Sequence, residues 1–211
     1  MTRSFTSMLL VLQTLAADLA NKPAFDRALH KLPTLFGPIL GELHPRIREF
    51  VTSHDFADYV YLGQGPFYGL ACESMLKLKE MSCSYAQVFH TLEFRHGPKA
   101  IVSPSVLVTF LLSEAGYEAE VDVLEEIKDL GGTTLVIANA ADQRAQVAAD
   151  LLVELRLDLP EYARLAAYAF AGQLLGVTTG IKKGLDPDQP RHLSRVVMLE
   201  EEAGKPEHAS F

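Results

Sequence analysis

The chain has 211 residues, of which 48% are apolar and 22% charged, and its formal net charge is −8. This is the mixture of a globular protein long enough to bury a sizeable core, and the negative charge argues against nucleic acid or an anionic membrane as the main partner. Two cysteines are too few for a disulfide framework. Without a recognisable signal peptide, they favour a reducing, cytoplasmic location. Of the two, Cys83 is expected to be a small buried hydrophobe rather than a nucleophile.

The first quarter of the chain is predicted to be helical. Apolar residues recur at helical spacing over residues 7–20, and Pro23 interrupts the pattern. Two further helices are expected over residues 24–34 and 37–53. After residue 55 the sequence pattern is no longer that of consecutive helices.

Short apolar runs then alternate with helical segments. Strands are predicted at residues 59–62, 106–112, 133–138 and 150–155, with helices to about Glu80 and over residues 118–130 between them. A further helix begins at Pro160, and residues 195–199 are expected to form a last short strand. Strands that alternate with helices through short loops imply a parallel sheet with crossover helices.

Residues 162–181 are about as long as a bilayer-spanning helix and largely apolar. Their apolar content is mostly Ala and Gly, which carry little hydrophobicity, and Arg164 and Gln173 interrupt them. The segment is therefore expected to be a buried helix in a subunit or domain interface rather than a membrane span.

Three charged residues, Glu73, Lys77 and Glu80, are spaced i, i+4, i+7 in a helix-forming segment and so share one helix face. His96 follows, directly before a Gly-Pro pair. A carboxylate base, a cation that tunes it and a histidine that titrates near neutrality are the groups that proton-transfer chemistry needs. An ordinary solvated ion pair has the same spacing, so the spacing alone leaves both interpretations open.

Glycines precede this helix. Gly63 and Gly65 follow the strand at residues 59–62, where an anion could bind at the helix N-terminus; a tight turn that needs glycine for backbone room is the alternative. His90, at a strand-to-turn passage, is expected to be structural. The histidines and acidic residues show no compact metal-ligand pattern, so no metal is expected.

Four motifs together resemble one protein superfamily. They are Leu-Gly-Gln-Gly-Pro at 62–66, the Glu73 to Glu80 run, Glu-x-x-His-Gly-Pro at 93–98 and Asp-Gln-Pro-Arg-His-Leu-Ser-Arg at 188–195. The chain resembles the sugar isomerase (SIS) superfamily, and more narrowly the second SIS half of glutamine–fructose-6-phosphate aminotransferases and related deaminases and deglycases. The resemblance implies an α/β, flavodoxin-like three-layer domain with a five-stranded parallel sheet over residues 56–211. Residues 1–55 then resemble the helical connector between two SIS halves.

The resemblance also implies roles for the residues. The glutamate matching Glu80 moves a proton between C1 and C2 of a phosphorylated hexose, and the histidine matching His96 promotes ring opening and comes from the neighbouring subunit. Glu73 and Lys77 would lie in the same pocket, and no cofactor is implied. The candidate substrate-binding residues are Gly63, Gly65, Ser113, His192 and Arg195.

Three departures from the family pattern limit this expectation. Arg195 stands where the synthase has a lysine that forms a Schiff base, and a guanidinium cannot serve as that nucleophile; it could instead pair with an anion or lie in a surface strand. The turn at residues 113–118 keeps Ser113 but adds Glu114 and Glu118, which would repel a dianion, so it is not expected to bind phosphate. The sequence itself contains no first SIS half.

Three hypotheses follow. The chain could be half of a phosphosugar isomerase, aminotransferase-type isomerase or deaminase, poorly active alone because substrate positioning is lost. It could be a binding module that recognises a phosphosugar without chemistry, or a half that only dimerises. The expected partners are a sugar phosphate and either a second copy or a separate SIS half.

Overall fold

The computed structural model describes residues 2–192. Its helices and strands, in chain order, are α1 (Thr2–Leu19), α2 (Pro23–Ser53), β1 (Asp58–Gly63), α3 (Pro66–Ser82), β2 (Tyr85–His90), β3 (Val106–Leu111), α4 (Tyr117–Asp129), β4 (Thr133–Ala138), α5 (Gln143–Ala148), β5 (Leu151–Glu154) and α6 (Leu165–Lys182). Short 3-10 helices lie at Glu93–His96, Pro98–Ile101 and Glu161–Arg164.

The five strands form one parallel sheet in the order β2-β1-β3-β4-β5. This order confirms the predicted flavodoxin-like sheet, with its topological switch point between β1 and β3. β3 is buried on both faces, because Leu107 and Leu111 join one core cluster while Val108 and Phe110 join the other. Residues of α2, α3 and α6 complete the first cluster and residues of α4 and α5 the second, which gives three layers.

One continuous helix, α2, replaces the two helices predicted over residues 24–34 and 37–53. It is 31 residues long and contains Pro33, Pro38 and Pro45 in its interior. Each proline removes one backbone hydrogen bond. The apolar face offsets that loss, because buried residues on both sides of the prolines pack into the same core cluster: Ala28, Leu29, Leu32, Phe36, Leu43, Ile47, Phe50 and Val51.

Close packing of α3 against α6 gives the first layer its shape. A Cβ atom at Gly172 would collide with the Ser74 side chain, and one at Gly180 would collide with the backbone oxygen of Met81. Glycine at these positions therefore lets the two helix backbones approach. Most of α6 is buried, as predicted, and the packing that buries it is with α2 and α3 of the same chain; its place in a subunit interface stays a prediction. Among the described helices, none has the length and apolar character needed to cross a membrane.

Cys83 is exposed, so the prediction that it is buried is wrong. It follows the last residue of α3 and adopts a left-handed conformation, with φ of 49°. Its backbone N–H donates to the carbonyl oxygen of Lys79 at 3.1 Å and closes the helix. Cys83 is therefore the C-cap of α3 and lies at the surface. The predicted strand at residues 195–199 lies outside the described residues.

Candidate functional site

The three charged residues of α3 form one contiguous site. The ammonium of Lys77 lies 2.6 Å from Glu80 Oε2 and 3.8 Å from Glu73 Oε1. The Lys77 side chain is 4% exposed and the Glu73 side chain 8%, whereas that of Glu80 is 26% exposed. The triad is therefore a buried cation between two carboxylates, one of which reaches solvent. This geometry differs from the solvated surface pair that was the alternative interpretation.

The two carboxylates of this triad have different surroundings. Burial raises the pKa of Glu73 above its ordinary value, the Lys77 charge opposes that rise, and the charge of Glu80 adds to it. Glu73 Oε1 has no hydrogen-bond partner within residues 2–192. Burial thus shifts this carboxyl group toward its protonated form relative to an exposed glutamate.

The wall of the site opposite α3 is helix α6. At Gly176 an added Cβ would lie 3.1 Å from the carbonyl oxygen of Lys77, so α6 runs directly alongside the triad. Gln173 on this helix is 5% exposed, and its Nε2 has no partner in the described part of the chain. The sequence showed only that a polar residue interrupts an Ala- and Gly-rich helix, which is too weak a signal to place it here.

His96 does not meet the triad within one chain. It is exposed and ends the 3-10 helix Glu93–His96. Phe94 of the same turn is buried in the core cluster that faces α4, on the other side of the sheet from α3. Any joint action of His96 and Glu80 would have to involve a second chain.

The glycine turn is also remote from Glu80. Gly65, with φ of +51°, precedes the first residue of α3, and Glu80 lies 15 residues further along that helix, a rise of about 22 Å. A Cβ at Gly63 would lie 2.6 Å from backbone atoms of Phe67, which fits the tight-turn interpretation. Beside this turn His90 stacks on Tyr68, with ring centroids 3.9 Å apart, and its Nδ1 lies 3.1 Å from the Gln64 side-chain oxygen.

The turn after β3 holds an internal carboxylate. Ser113 donates to the Glu120 carboxylate through its hydroxyl, with backbone N–H contacts at 3.4 Å, and the backbone N–H of Gly116 donates to the Ser113 hydroxyl at 3.0 Å. Glu120 is 1% exposed, and burial raises its pKa to about 7 against the opposing hydrogen bonds from Ser113. Sequence reasoning missed Glu120, because periodicity placed only its apolar neighbours on the buried face of α4.

Two candidates lie at or beyond the end of the described chain. His192 is exposed, with φ of 60°, and is the last described residue. Arg195 lies outside the described residues. Across residues 2–192, no group of three or more His, Cys, Asp and Glu side chains is arranged to hold a metal ion.

The sheet order and the triad together place the chain in a class of protein: α/β domains with a flavodoxin-like sheet that carry charged residues on the helix between the first two strands. The SIS domain family model matches residues 58–175, more than half of the chain, and the chain belongs to that family.

Similar proteins are known by sequence and by structure. The chain is 30% identical over 216 residues to a glutamine–fructose-6-phosphate aminotransferase (isomerizing) of Rhizobium meliloti, an alignment that covers 94% of this chain and 34% of the relative. It superimposes on glucosamine-6-phosphate deaminase of Thermotoga maritima with a TM-score of 0.71 and 28% identity, covering 94% of this chain and 57% of that one. The Escherichia coli tagatose-6-phosphate ketose/aldose isomerase, at 22% identity and a TM-score of 0.64 over 77% of this chain and 45% of that one, shares the fold. This chain thus spans about a third of the curated relative's length.

Proposed function

We propose that this chain is the second half of a phosphosugar-processing SIS enzyme of the isomerase, aminotransferase or deaminase type, acting on a hexose or hexosamine 6-phosphate. The observation that carries the proposal is the buried ammonium of Lys77 between the carboxylates of Glu73 and Glu80. The names of the sequence relatives and of the structure at 28% identity, which all concern hexose or hexosamine 6-phosphates, support the substrate class.

In this proposal Glu80 is the proton carrier. Its carboxylate removes the proton from C2 of an aldose while the carbonyl oxygen at C1 takes up a proton, which gives an enediol. The carboxylic acid then returns its proton to C1 as the C2 hydroxyl gives up its own proton, which leaves the ketose. Lys77, 2.6 Å away, holds the Glu80 carboxylate in place and stabilises the negative charge that develops on the substrate oxygens. Glu73, buried on the other side of Lys77, forms a hydrogen bond with the substrate.

The chain alone is proposed to turn over poorly. In a family member that binds phosphate at the turn after β3, hydroxyl and backbone N–H groups would face the ligand. Here the Ser113 hydroxyl donates its hydrogen bond to the Glu120 carboxylate instead. This supports the view that the phosphate anchor lies on another SIS half or another chain. Without that anchor the chain binds the sugar more weakly and orients it less well against Glu80, and orientation contributes much of the rate of an enzyme.

Further parts of the proposal extend the same argument. Residues 1–55 would serve as a connector and residues 56–211 as the SIS domain, in a cytoplasmic protein without metal or cofactor. His96 would act on the site of a neighbouring subunit. Gly63, Gly65, His192 and Arg195 would remain the candidates for contact with substrate, whereas Ser113 donates to Glu120 instead.

Ligand-dependent thermal stability tests the proposal most directly. Fructose 6-phosphate and glucosamine 6-phosphate are expected to raise the unfolding temperature of the chain in a concentration-dependent way, because a ligand that binds only the folded state stabilises it by mass action. The Glu80→Gln variant should bind but lose the residual isomerisation measured by proton exchange at C2, whereas Glu49→Gln, at an exposed carboxylate of α2, should match the wild type. Absence of any shift across the sugar phosphates would overturn the proposal.

A non-catalytic module that binds a phosphosugar or only dimerises is the second candidate. The buried Glu120 in the turn after β3 favours it, because that turn offers its Ser113 donors to the protein rather than to a ligand. Proton exchange at C2 separates the two candidates: binding without any exchange, in the wild type as in Glu80→Gln, would support the module.

A further inference from the structure

Two buried polar atoms at the site have no hydrogen-bond partner within the described chain, although the Lys77 ammonium lies 3.8 Å from one of them, Glu73 Oε1. Glu73 Oε1 on α3 and Gln173 Nε2 on α6 accept or donate no hydrogen bond within the described chain, although their residues are only 8% and 5% exposed. Buried polar groups in native proteins are nearly always hydrogen-bonded, and an exception calls for an explanation.

The packing of the two helices places both atoms at the same height. Gly172 faces Ser74, and Gly176 faces the backbone of Lys77 and Leu78, so α3 and α6 run side by side in the same direction. Gln173 is one residue after Gly172, and Glu73 is one residue before Ser74, so each lies next to this facing pair. Their levels along the helix pair therefore differ by no more than a few residues, each with a rise of about 1.5 Å.

Both side chains leave their helices on the side away from the sheet. On α6, Tyr168 points to the sheet, where its hydroxyl donates to the carbonyl oxygen of Leu112, and Gln173 is rotated from it by about 140°. On α3, Ala71 belongs to the sheet-facing core, and Glu73 lies about 160° from it around the helix. The two atoms without hydrogen bonds therefore lie on the same side of the α3–α6 pair, away from the sheet, and Glu80, 26% exposed, is about two turns further along α3.

The chemistry of the pair defines what would satisfy it. A carboxylate oxygen accepts a hydrogen bond and an amide nitrogen donates one, whereas a hydroxyl group does both. A single hydroxyl between the two atoms would accept from Gln173 Nε2 and donate to Glu73 Oε1. We infer that Gln173 is a substrate-positioning residue of this site, which with Glu73 holds one hydroxyl group of the sugar. The inference rests on the proposed function and adds to it a residue from α6.

Binding by matched variants tests the role of Gln173. Gln173→Leu is expected to weaken fructose 6-phosphate binding about tenfold, the usual effect of one hydrogen bond to a charged or polar ligand. Thr178→Val is the control: Thr178 lies on the same helix, is 5% exposed and has an equally orphaned Oγ1, but it is about 140° further round α6. Both variants remove an unpaired buried polar atom, so only a role in binding separates them.

Deoxy analogues of fructose 6-phosphate supply a readout that a structural role would not move. The analogue without the positioned hydroxyl should lose about tenfold in affinity for the wild type and for Thr178→Val, and almost none for Gln173→Leu. Equal losses in all three proteins would overturn the role of Gln173 while leaving the proposed function intact. If the wild type binds no sugar phosphate at all, the proposed function and the role of Gln173 both fail.

Discussion

Replacing Glu120 with glutamine is expected to change how the stability of the fold depends on pH. The carboxyl group is buried at the turn after β3, where the Ser113 donors favour its charged form, and burial together with the charge of Glu161 disfavours it. Burial is the largest of these effects, and the pKa rises from 4.5 to about 7. Because the folded state binds this proton more tightly than the unfolded chain, the stabilisation is fully present below pH 4.5 and is lost as the pH rises through 7.

The size of the effect follows from the two pKa values. At about 1.4 kcal/mol for each pH unit between them, the wild type loses about 3 kcal/mol of stability from this group between acid and mildly alkaline pH. The amide introduced by the substitution would carry no titratable proton, and its oxygen would still accept from the backbone N–H of Ser113. As the pH rises, the free energy of unfolding of the Glu120→Gln variant is therefore expected to increase relative to that of the wild type by up to about 3 kcal/mol.

Urea unfolding at a series of pH values between about 5 and 8.5 measures this difference. Other carboxylates titrate in the same way in both proteins, so the difference between the two curves isolates Glu120. Glu118→Gln is the matched control, because Glu118 lies on the same helix with an 82% exposed side chain; its curve should run parallel to that of the wild type. Parallel curves for Glu120→Gln and the wild type would refute the reasoning.

Two further predictions test the packing and the surface. Gly180→Ala is expected to lower the free energy of unfolding by about 1–3 kcal/mol, because the new methyl group would collide with the Met81 carbonyl, whereas Gly69→Ala, in open space on α3, should be neutral or stabilising in the same thermal unfolding assay. A maleimide should modify the exposed Cys83 before the half-buried Cys72, as read by peptide mass spectrometry, and the reverse order would contradict the position of Cys83 at the end of α3.

Local pattern was sufficient for the parts of the fold whose environment is uniform. The predicted strand at residues 133–138 coincides with β4, and that at 106–112 with β3 to within one residue, because strands buried on both faces show as continuous apolar runs. The spacing of Glu73, Lys77 and Glu80 placed them on one face of α3, as the structure has them. A helix period is a property of the chain itself and needs no knowledge of its neighbours.

Local pattern failed where a distant neighbour decides the outcome. Pro38 follows Gly37 in the sequence, which locally favours a helix end, yet α2 continues because the core cluster holds residues on both sides. Cys83 is apolar in type, but its place after the end of α3 exposes it. In α2 the tertiary contacts outweigh the local preference, whereas the exposure of Cys83 depends on where its helix ends.

The site shows the same limit more sharply, because its chemistry depends on groups that meet only in the fold. The sequence pattern predicts Glu120 to be an ordinary polar residue of an amphipathic helix, and only the structure shows that Ser113, seven residues earlier, donates to it. In the sequence Gln173 only interrupts an apolar helix, and only the packing of Gly172 and Gly176 on α3 shows that it lies level with the triad. Gly172 and Gly176 let the backbone of α6 approach α3 beside Ser74 and Lys77, and burial in this region raises the pKa of the neighbouring Glu73.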